Sequence, residues 1–148
     1  MLQPLSKRLA DIVDALPLHK GIRVLEIGCG PGAMAREIAK RIGDGHIHAI
    51  DRSSKAIQQA IENSNEEIDA GRLSFRQVAI EEYTLEKAVE LFDLAVAVRV
   101  GALDGRHPAI EQKALAKIAN VLTKKGKLFI DGGNPLKEIS LEKHRGKL

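Results

Sequence analysis

A carboxylate and three glycines with regular spacing follow a short apolar segment near the start of the chain. Glu26 is followed by Gly28, Gly30 and Gly32 in the stretch EIGCGPG. Glycine has no Cβ, so such a backbone can turn sharply and come close to a bound molecule. The residues after Gly32 predict a helix, and the first N–H groups of a helix have no partner within it. The pattern therefore predicts a loop that holds a polar ligand, with a carboxylate beside it.

A second acidic residue, Asp51, ends the next predicted strand. Ligands of open parallel sheets bind beyond the carboxyl ends of the strands, and a carboxylate at that place can accept both hydroxyls of a ribose. The glycine loop and Asp51 together predict an adenosine-type cofactor. By themselves they leave both a nicotinamide dinucleotide and S-adenosylmethionine open.

Apolar residues along the chain predict strands that alternate with helices. The connections are too long for hairpins, which favours parallel strands with right-handed crossovers. We therefore predict an α/β fold, a three-layer open sheet of mainly parallel strands. The predicted strands are 22–27, 46–50, 73–78, 92–98 and 127–131, and the predicted helices are 5–16, 33–42, one that begins after Ser53 or Ser54, and 108–122, with a weak helix or loop over 81–91.

The single cysteine and the few aromatic residues exclude several classes of protein. Cys29 alone cannot form a disulfide within the chain or a cysteine-rich zinc site. His46 and His48 alternate on a short predicted strand without acidic or cysteine companions, so we predict no metal site. Aromatic residues make up 3% of the sequence. This scarcity argues against a platform that stacks single-stranded nucleic acid, and nucleic acid is not the partner that we expect.

Length, charge and hydropathy set broader limits. The 148 residues are typical of one domain, and the net charge of +3 permits an anionic partner without requiring one. No apolar run is long enough to cross a bilayer, and the first residues show no signal-peptide pattern. We therefore predict a protein of the cytoplasm that does not act at a membrane.

The residue before the glycines distinguishes the two cofactor classes. A carboxylate at Glu26 is awkward beside a pyrophosphate and useful beside an ammonium group. The spacing Glu26-x-Gly28-x-Gly30-x-Gly32 strongly resembles motif I of the class I S-adenosylmethionine-dependent methyltransferases. The stretches AIDRS (49–53), FDLAVAV (92–98) and VLTKKGKLFI (121–130) resemble later parts of that family, so the resemblance covers roughly residues 20–131. It implies a Rossmann-like methyltransferase fold and S-adenosylmethionine as the cofactor.

The resemblance also implies a role for individual residues. Asp51 would bind the ribose hydroxyls, Arg52 would lie along the adenine, and Ile80 would pack on the adenine ring. Many members of the family have an aspartate where this chain has Ala79, so that contact is missing or has moved to Glu81. The loop would face the methionine portion of the cofactor. The complete set of implied cofactor-binding residues is Glu26, Gly28, Cys29, Gly30, Gly32, Asp51, Arg52, Ile80, Glu81 and Arg99.

Residues after the fourth predicted strand would line a pocket for the methyl acceptor. Arg99 could hold an anionic acceptor and His107 could act as a base, although the catalytic residues remain unassigned. The Asn/Asp-Pro-Pro-Tyr box of the members that act on adenine or glutamine is absent from this loop. We therefore predict a methyltransferase that acts on a small molecule.

Three other functions remain open at this point. The chain could be an S-adenosylmethionine-binding module that needs a partner chain for its acceptor site. It could also methylate RNA or protein, or be an oxidoreductase domain of the NAD type, which Glu26 disfavours.

The last residues predict an incomplete sheet. We divide the chain into a methyltransferase domain, 1–131, which starts with an N-terminal helix within 1–19, and a basic tail, 132–148, which we expect to be a frayed helix or loose. The tail is too short for the family's usual sixth strand and antiparallel seventh strand, so we predict that both are missing. The fifth strand would then have an open edge, and open edges pair with other chains. We expect a homodimer through this edge or coverage of the edge by the tail.

Overall fold

The computed structural model describes residues 4–87 and 89–145. Its strands are β1 (Arg23–Ile27), β2 (His46–Asp51), β3 (Leu73–Gln77), β4 (Phe92–Ala97), β5 (Leu122–Asp131) and β6 (Leu136–Ile139). Its helices are α1 (Lys7–Ala15), α2 (Ala33–Arg41), α3 (Ser54–Glu62), α4 (Asn65–Asp69) and α5 (Pro108–Val121), with short 3-10 turns at Ile80–Glu82, Gly101–Leu103 and Glu142–His144.

The strands form one sheet in the order β3-β2-β1-β4-β5-β6. Strands β1 to β5 are parallel to their neighbours, and β6 is antiparallel to β5. The strand order reverses beside β1, because β2 lies on one side of it and β4 on the other. The predicted α/β sheet of mainly parallel strands is confirmed, and ligands of such sheets bind where the order reverses.

Local sequence signals explain where the main helices begin. The hydroxyl of Ser6 accepts a hydrogen bond from the N–H of Leu9 (3.2 Å) at the start of α1, and Ser53 does the same for Ala56 (3.2 Å) at the start of α3. Helix α5 begins at Pro108, whose missing N–H would have had no partner in the first turn.

Both faces of the sheet are covered by apolar residues. One cluster joins α1 and α2 to the sheet through residues such as Ile12, Ile38 and Ile47, and the other joins α5 to the opposite face through residues such as Ile118. Leu25 on β1 is completely buried. Each such side chain contributes about 1.5–3 kcal/mol through burial, so the sheet is a firm base for the loops at its ends.

The prediction of a loose or frayed tail is wrong. Residues Leu136–Ile139 pair with β5, and Leu141 is buried. The guanidinium of Arg145 donates to the carbonyl oxygens of Thr123 (3.1 Å) and Gly126 (2.6 Å) at the start of β5. The tail is folded because it satisfies the backbone groups of β5 that would otherwise form an open edge.

The structure therefore corrects two related predictions. One antiparallel edge strand is present beside β5, so the sheet does not lack both of its last strands. Direct pairing of a second copy with β5, the route that we predicted for a homodimer, is blocked because β6 occupies that edge. The other predicted outcome, that the tail covers the edge of β5, is what the structure shows. The oligomeric state stays a prediction.

Candidate functional site

The glycine loop connects the carboxyl end of β1 to α2. The N–H groups of Gly28 and Cys29 both donate to the carbonyl oxygen of Ile50, at 2.8 and 3.0 Å, which fixes the loop against β2. The φ angles of Gly28, Gly30 and Gly32 are +74°, +54° and +90°. These angles lie in the left-handed region, where other residues are strained.

The surroundings of Gly28 and Gly30 differ. A Cβ on Gly28 would lie 2.8 Å from Cγ2 of Val100, so the loop after β4 packs directly on this turn. A Cβ on Gly30 would meet nothing within 4 Å. The backbone of Gly30 therefore faces open space, where a ligand can approach it.

Asp51 joins the glycine loop to the start of α3. One carboxylate oxygen, Oδ2, accepts the N–H of Gly30 (2.9 Å), and the other, Oδ1, accepts the N–H of Ser53 (2.9 Å). Each oxygen keeps a free lone pair, because a carboxylate can accept about four hydrogen bonds. Asp51 is therefore held in one orientation and can still accept further hydroxyl groups.

Glu26 is buried beneath this loop. Its side chain is only 3% exposed, and Oε1 has no hydrogen-bond partner among residues 4–87 and 89–145. Burial raises the pKa of Glu26 to about 8, with a further contribution from the charge of Asp51 and an opposing one from Arg36. A buried carboxyl group without a partner favours the approach of a positively charged or N–H-bearing group.

Arg36 is a site residue that our sequence analysis missed. It lies on α2, and its guanidinium donates to the carbonyl oxygen of Pro31 (2.9 Å) and to Oγ of Ser64 (3.1 Å). Burial lowers the pKa of Arg36, while the charges of Glu67 and Glu26 act in the opposite direction. Arg36 thus fixes the glycine loop and is the cation that partly balances Glu26.

Replacing Arg36 by methionine is expected to lower the free energy of unfolding by about 1–3 kcal/mol, because the buried hydroxyl of Ser64 and the partly buried carbonyl oxygen of Pro31 lose their donor. The matched control is Arg41→Met on the same helix. Arg41 makes only exposed ion pairs, which contribute about 1 kcal/mol or less. Urea denaturation measures both variants, and an equal loss in the two would contradict the role of Arg36.

A cavity of about 620 Å³ opens at the carboxyl ends of β1, β2 and β3. The predicted cofactor residues that line it are Gly28, Asp51, Arg52, Ile80, Glu81 and Arg99. Glu26, Cys29, Gly30 and Gly32 are not in the cavity wall. The structure thus brings six of the ten predicted residues around one cavity, and the binding role of each stays a prediction.

One end of this cavity has the composition that the resemblance led us to expect for an adenine site. Ala79, Ile80 and Glu81 follow β3 in the cavity wall, and Ile80 is buried. Ala79 offers no side-chain acceptor at the place of the usual aspartate. Glu81 is the nearest carboxylate along the chain, which is consistent with a shifted contact.

Cys29 lies in the loop as a small buried residue. Its Sγ donates to the carbonyl oxygen of Gly30 (3.4 Å). Burial raises the pKa of the Cys29 thiol, and the charges of Glu26 and Asp51 raise it further. The thiol therefore stays protonated, which excludes a role as an activated nucleophile at neutral pH.

The segment after β4 separates the first cavity from a second one of about 570 Å³. Arg99 and Val100 line both cavities, as does Arg106. The φ of Arg99 is +56°, and its N–H donates to Oδ1 of Asp131 (3.0 Å). This strained residue is therefore held at the boundary between two spaces that open beyond the carboxyl ends of neighbouring strands.

The two candidate catalytic residues differ in position. Arg99 lines both cavities, whereas His107 lines only the first. His107 also precedes α5, where its backbone oxygen accepts the N–H of Glu111 (2.9 Å). Within residues 4–87 and 89–145 there is no group of three or more His, Cys, Asp and Glu that could hold a metal ion, and no helix long and apolar enough to cross a membrane.

Two curated relatives act on different kinds of acceptor. The chain is 26% identical to the release factor glutamine methyltransferase of Lactococcus lactis, over 99% of this chain and 62% of that protein. It is 38% identical to the aklanonic acid methyltransferase DauC of Streptomyces sp. (strain C5), over 43% of this chain and 28% of that protein. The chain thus spans less than two thirds of the length of either relative.

A solved structure and a protein family agree with these similarities. The SAM-dependent methyltransferase from Thiobacillus denitrificans, solved in complex with S-adenosyl-L-homocysteine, superposes with a TM-score of 0.66 at 25% identity. The match covers 86% of this chain and 48% of that one. The family described as a methyltransferase domain matches residues 18–145. This chain therefore belongs to the methyltransferase domain family, with the Rossmann-like class I fold.

Proposed function

We propose that this chain binds S-adenosylmethionine in the first cavity and transfers its methyl group to a small molecule. The observation that carries the proposal is the hydrogen bond between Asp51 and the N–H of Gly30 at the edge of that cavity. It holds the carboxylate that we assign to the ribose beside a glycine backbone, and the same loop follows the buried carboxyl group of Glu26. The family and the relative solved with S-adenosyl-L-homocysteine support the same cofactor.

The cofactor supplies a methyl group that is activated by a positively charged sulfur. The chain must therefore hold the acceptor in line with that group, and positioning of this kind can contribute roughly 7–11 kcal/mol to catalysis. A base is needed only for an acceptor that arrives protonated. His107, which lies in the wall of the cavity, is our candidate for such a base.

The second cavity supports a small acceptor. Its wall combines apolar side chains, among them Leu103, Ile130 and Ile139, with charged side chains of both signs: Arg99, Asp104, Arg106, Glu111, Asp131 and Lys137. Its volume of about 570 Å³ lies within the range of small-molecule sites. Since it adjoins the first cavity through Arg99, an acceptor in it would lie next to the cofactor.

Isothermal titration calorimetry tests the cofactor. We expect heat of binding with S-adenosylmethionine and S-adenosylhomocysteine and none with NAD. Binding of NAD without the sulfur compounds would contradict the proposal. Transfer of a radiolabelled methyl group to a low-molecular-mass extract by the purified chain tests the acceptor class. Transfer only to protein or RNA, or transfer only after a second chain is added, would instead support the alternatives stated above.

Replacing Gly30 by alanine is expected to weaken S-adenosylhomocysteine binding by about tenfold or more, because the added methyl group projects into the open space beside Gly30, next to Asp51 in the wall of the first cavity. Gly71→Ala is the control, since Gly71 also has a positive φ (+77°) and open space around its Cβ position. Both variants should lose about 1 kcal/mol of stability from strain. Calorimetry that finds equal affinity in both variants would contradict this role for Gly30.

A further inference from the structure

A third cavity, of about 540 Å³, lies at the opposite ends of the strands from the cofactor site. Arg23 is the first residue of β1, His46 is the first of β2, and Ser74 is the second of β3. The segment between β3 and β4 completes the wall with Tyr83 and Glu86. We name this space the amino-end cavity.

A chain of short hydrogen bonds runs along its wall. Nδ1 of His46 is 2.7 Å from the carbonyl oxygen of Gly71, and Nε2 of His46 is 2.7 Å from Oγ of Ser74. The same Oγ is 2.7 Å from Nδ1 of His48. His48 also stacks on the ring of Phe92, with an angle of 7° between the two planes, so its ring is fixed.

These contacts determine where the hydrogens lie when both histidines are neutral. A carbonyl oxygen only accepts, so Nδ1 of His46 carries its hydrogen, and Nε2 of His46 accepts the hydroxyl hydrogen of Ser74. Ser74 has no second hydrogen, so its oxygen must accept the N–H at Nδ1 of His48. Nε2 of His48 is therefore an acceptor without a hydrogen.

This nitrogen has no use in the fold as it stands. Nε2 of His48 is buried and has no hydrogen-bond partner in the described part of the chain. Burial lowers the pKa of His48 to about 4, although the charge of Glu86 acts in the opposite direction, so the ring is neutral at neutral pH. Oε1 of Glu86 lies 4.0 Å away and accepts one hydrogen bond, from Nη1 of Arg76 (3.3 Å), so it can accept a second. A group with two hydrogens, placed between Nε2 of His48 and this oxygen, could donate to both.

The same cavity also contains a donor without an acceptor. Nε of Arg23 is buried and has no hydrogen-bond partner within residues 4–87 and 89–145. The carboxylate of Glu90 is 4.0 Å from it, beyond hydrogen-bond distance. The guanidinium of Arg23 lies over the ring of Phe92, 5.5 Å from its centre, and His48 stacks on the same ring.

Several ligand classes do not match this wall. A metal ion would find Nε2 of His48 and the carboxylates of Glu86 and Glu90 in this wall, beside the guanidinium groups of Arg23 and Arg76, which would repel it. An anion would face the lone pair of His48 and the carboxylate of Glu86. An ammonium group would have no acceptor for Nε of Arg23. A primary carboxamide carries both an NH₂ group and an oxygen, so it offers hydrogens to the two acceptors and an acceptor to Nε of Arg23.

We propose that the amino-end cavity binds a small uncharged molecule through a primary carboxamide. The NH₂ group donates to Nε2 of His48 and to the carboxylate of Glu86, and the carbonyl oxygen accepts the N–H at Nε of Arg23. The rest of the molecule packs on the apolar side of the cavity, where Phe75 and Val89 lie. This site is separate from the cofactor cavity and does not depend on the proposed methyl transfer.

Benzamide is the probe, and benzoate, which has no donor, is its matched control. In ¹H–¹⁵N spectra of the full chain, benzamide is expected to shift the backbone signals of Ser74, Tyr83 and Glu86, with a dissociation constant of about 1–10 mM. Benzoate is expected to leave those signals in place. Equal shifts with benzoate, or no shift with benzamide at ten times that concentration, would overturn the proposal.

Two further measurements bear on the contacts themselves. The ¹⁵N shifts of the His48 ring are expected to report a hydrogen on Nδ1, and a hydrogen on Nε2 would contradict the assignment. Glu86→Gln is expected to weaken benzamide binding about tenfold, whereas Glu90→Gln in the same wall should change it less than twofold. Equal weakening in both variants would mean that only general charge attracts the probe. Glu86 is half exposed, so its replacement should not prevent folding.

Discussion

Replacing Asp51 by alanine should weaken the binding of S-adenosylhomocysteine by at least about 100-fold. The carboxylate would lose its contacts to the ribose hydroxyls, and hydrogen bonds to charged groups contribute about 1.5–3 kcal/mol each. It would also release the N–H groups of Gly30 and Ser53, each of which it accepts at 2.9 Å. Calorimetry measures the loss, and an unchanged affinity would contradict the proposed site.

A double-mutant cycle separates the direct contact from the structural one. We expect the 2′,3′-dideoxy analogue of S-adenosylhomocysteine to bind the wild-type chain weakly. The affinity for this analogue should fall little further when Asp51 is replaced by alanine, because the analogue lacks the hydroxyl groups that Asp51 would bind. If the loss of affinity from Asp51→Ala and the loss from removing the hydroxyl groups simply add, then Asp51 acts through the glycine loop and not through the sugar.

The parts of the fold that could be predicted from sequence have local signals. Strands β1 and β4 are short, mostly apolar runs, β2 and β3 mix apolar with polar residues between turn residues, and α1 and α3 begin at serine caps. Helix α4 was missed because it buries no residue and so has no apolar face to recognise. Strand β5 begins at Leu122, five residues earlier than predicted. Leu122 also fits the apolar pattern of the preceding helix, residues 123–126 are not apolar, and the pairing with β4 has an irregularity between Phe92 and Leu94.

Strand β6 shows why the tail could not be predicted. The stretch LKEI has two apolar residues at its ends and two charged residues between them, which is a weak strand pattern. Its pairing depends on the edge of β5, which lies earlier in the chain and could not be assigned a partner from local sequence. The strand forms because the edge of β5 has backbone N–H and C=O groups that need partners, and the segment 136–139 supplies them.

Some residues of the candidate site could also be predicted from sequence, and others could not. The positions of Gly28 and Asp51 followed from spacing, because Gly28 directly follows β1 and Asp51 ends β2, and the carboxyl ends of these two strands meet. Arg36 could not be found in this way, since its contacts to Pro31 and Ser64 depend on how α2 packs. The division between two cavities at Arg99 likewise needs the positions of β4, β5 and the tail together.

Replacing Glu26 by glutamine should stabilise the chain at alkaline pH and weaken the binding of S-adenosylmethionine. The pKa of Glu26 is raised from its ordinary value of 4.5 to about 8 in the folded chain. Between these two values the unfolded chain releases a proton that the folded chain keeps, so the free energy of unfolding falls as the pH rises through this window. Glutamine has no proton to release, so the variant avoids that loss.

Thermal denaturation at two pH values measures the stability effect. At pH 5 the variant should melt close to the wild type, and at pH 8.5 it should melt about 5 °C or more above it. The upper limit of the effect is roughly 5 kcal/mol. The control is Glu62→Gln, which removes the same charge from an exposed position and should show no such dependence on pH. A pH-independent difference for Glu26→Gln would mean that the carboxyl group is already ionised in the folded chain.

The same substitution separates stability from binding. A cation that approaches Glu26 favours its ionised form, so the affinity of the wild type for S-adenosylmethionine should rise by up to about tenfold per pH unit below pH 8 and level off above it. The glutamine variant should bind more weakly and lose the part of this slope that comes from residue 26. A buried carboxyl group that costs stability and improves binding is expected where the fold is adapted to a charged ligand and not to its own stability. If the variant is more stable and binds equally well, Glu26 does not face the cationic part of the cofactor.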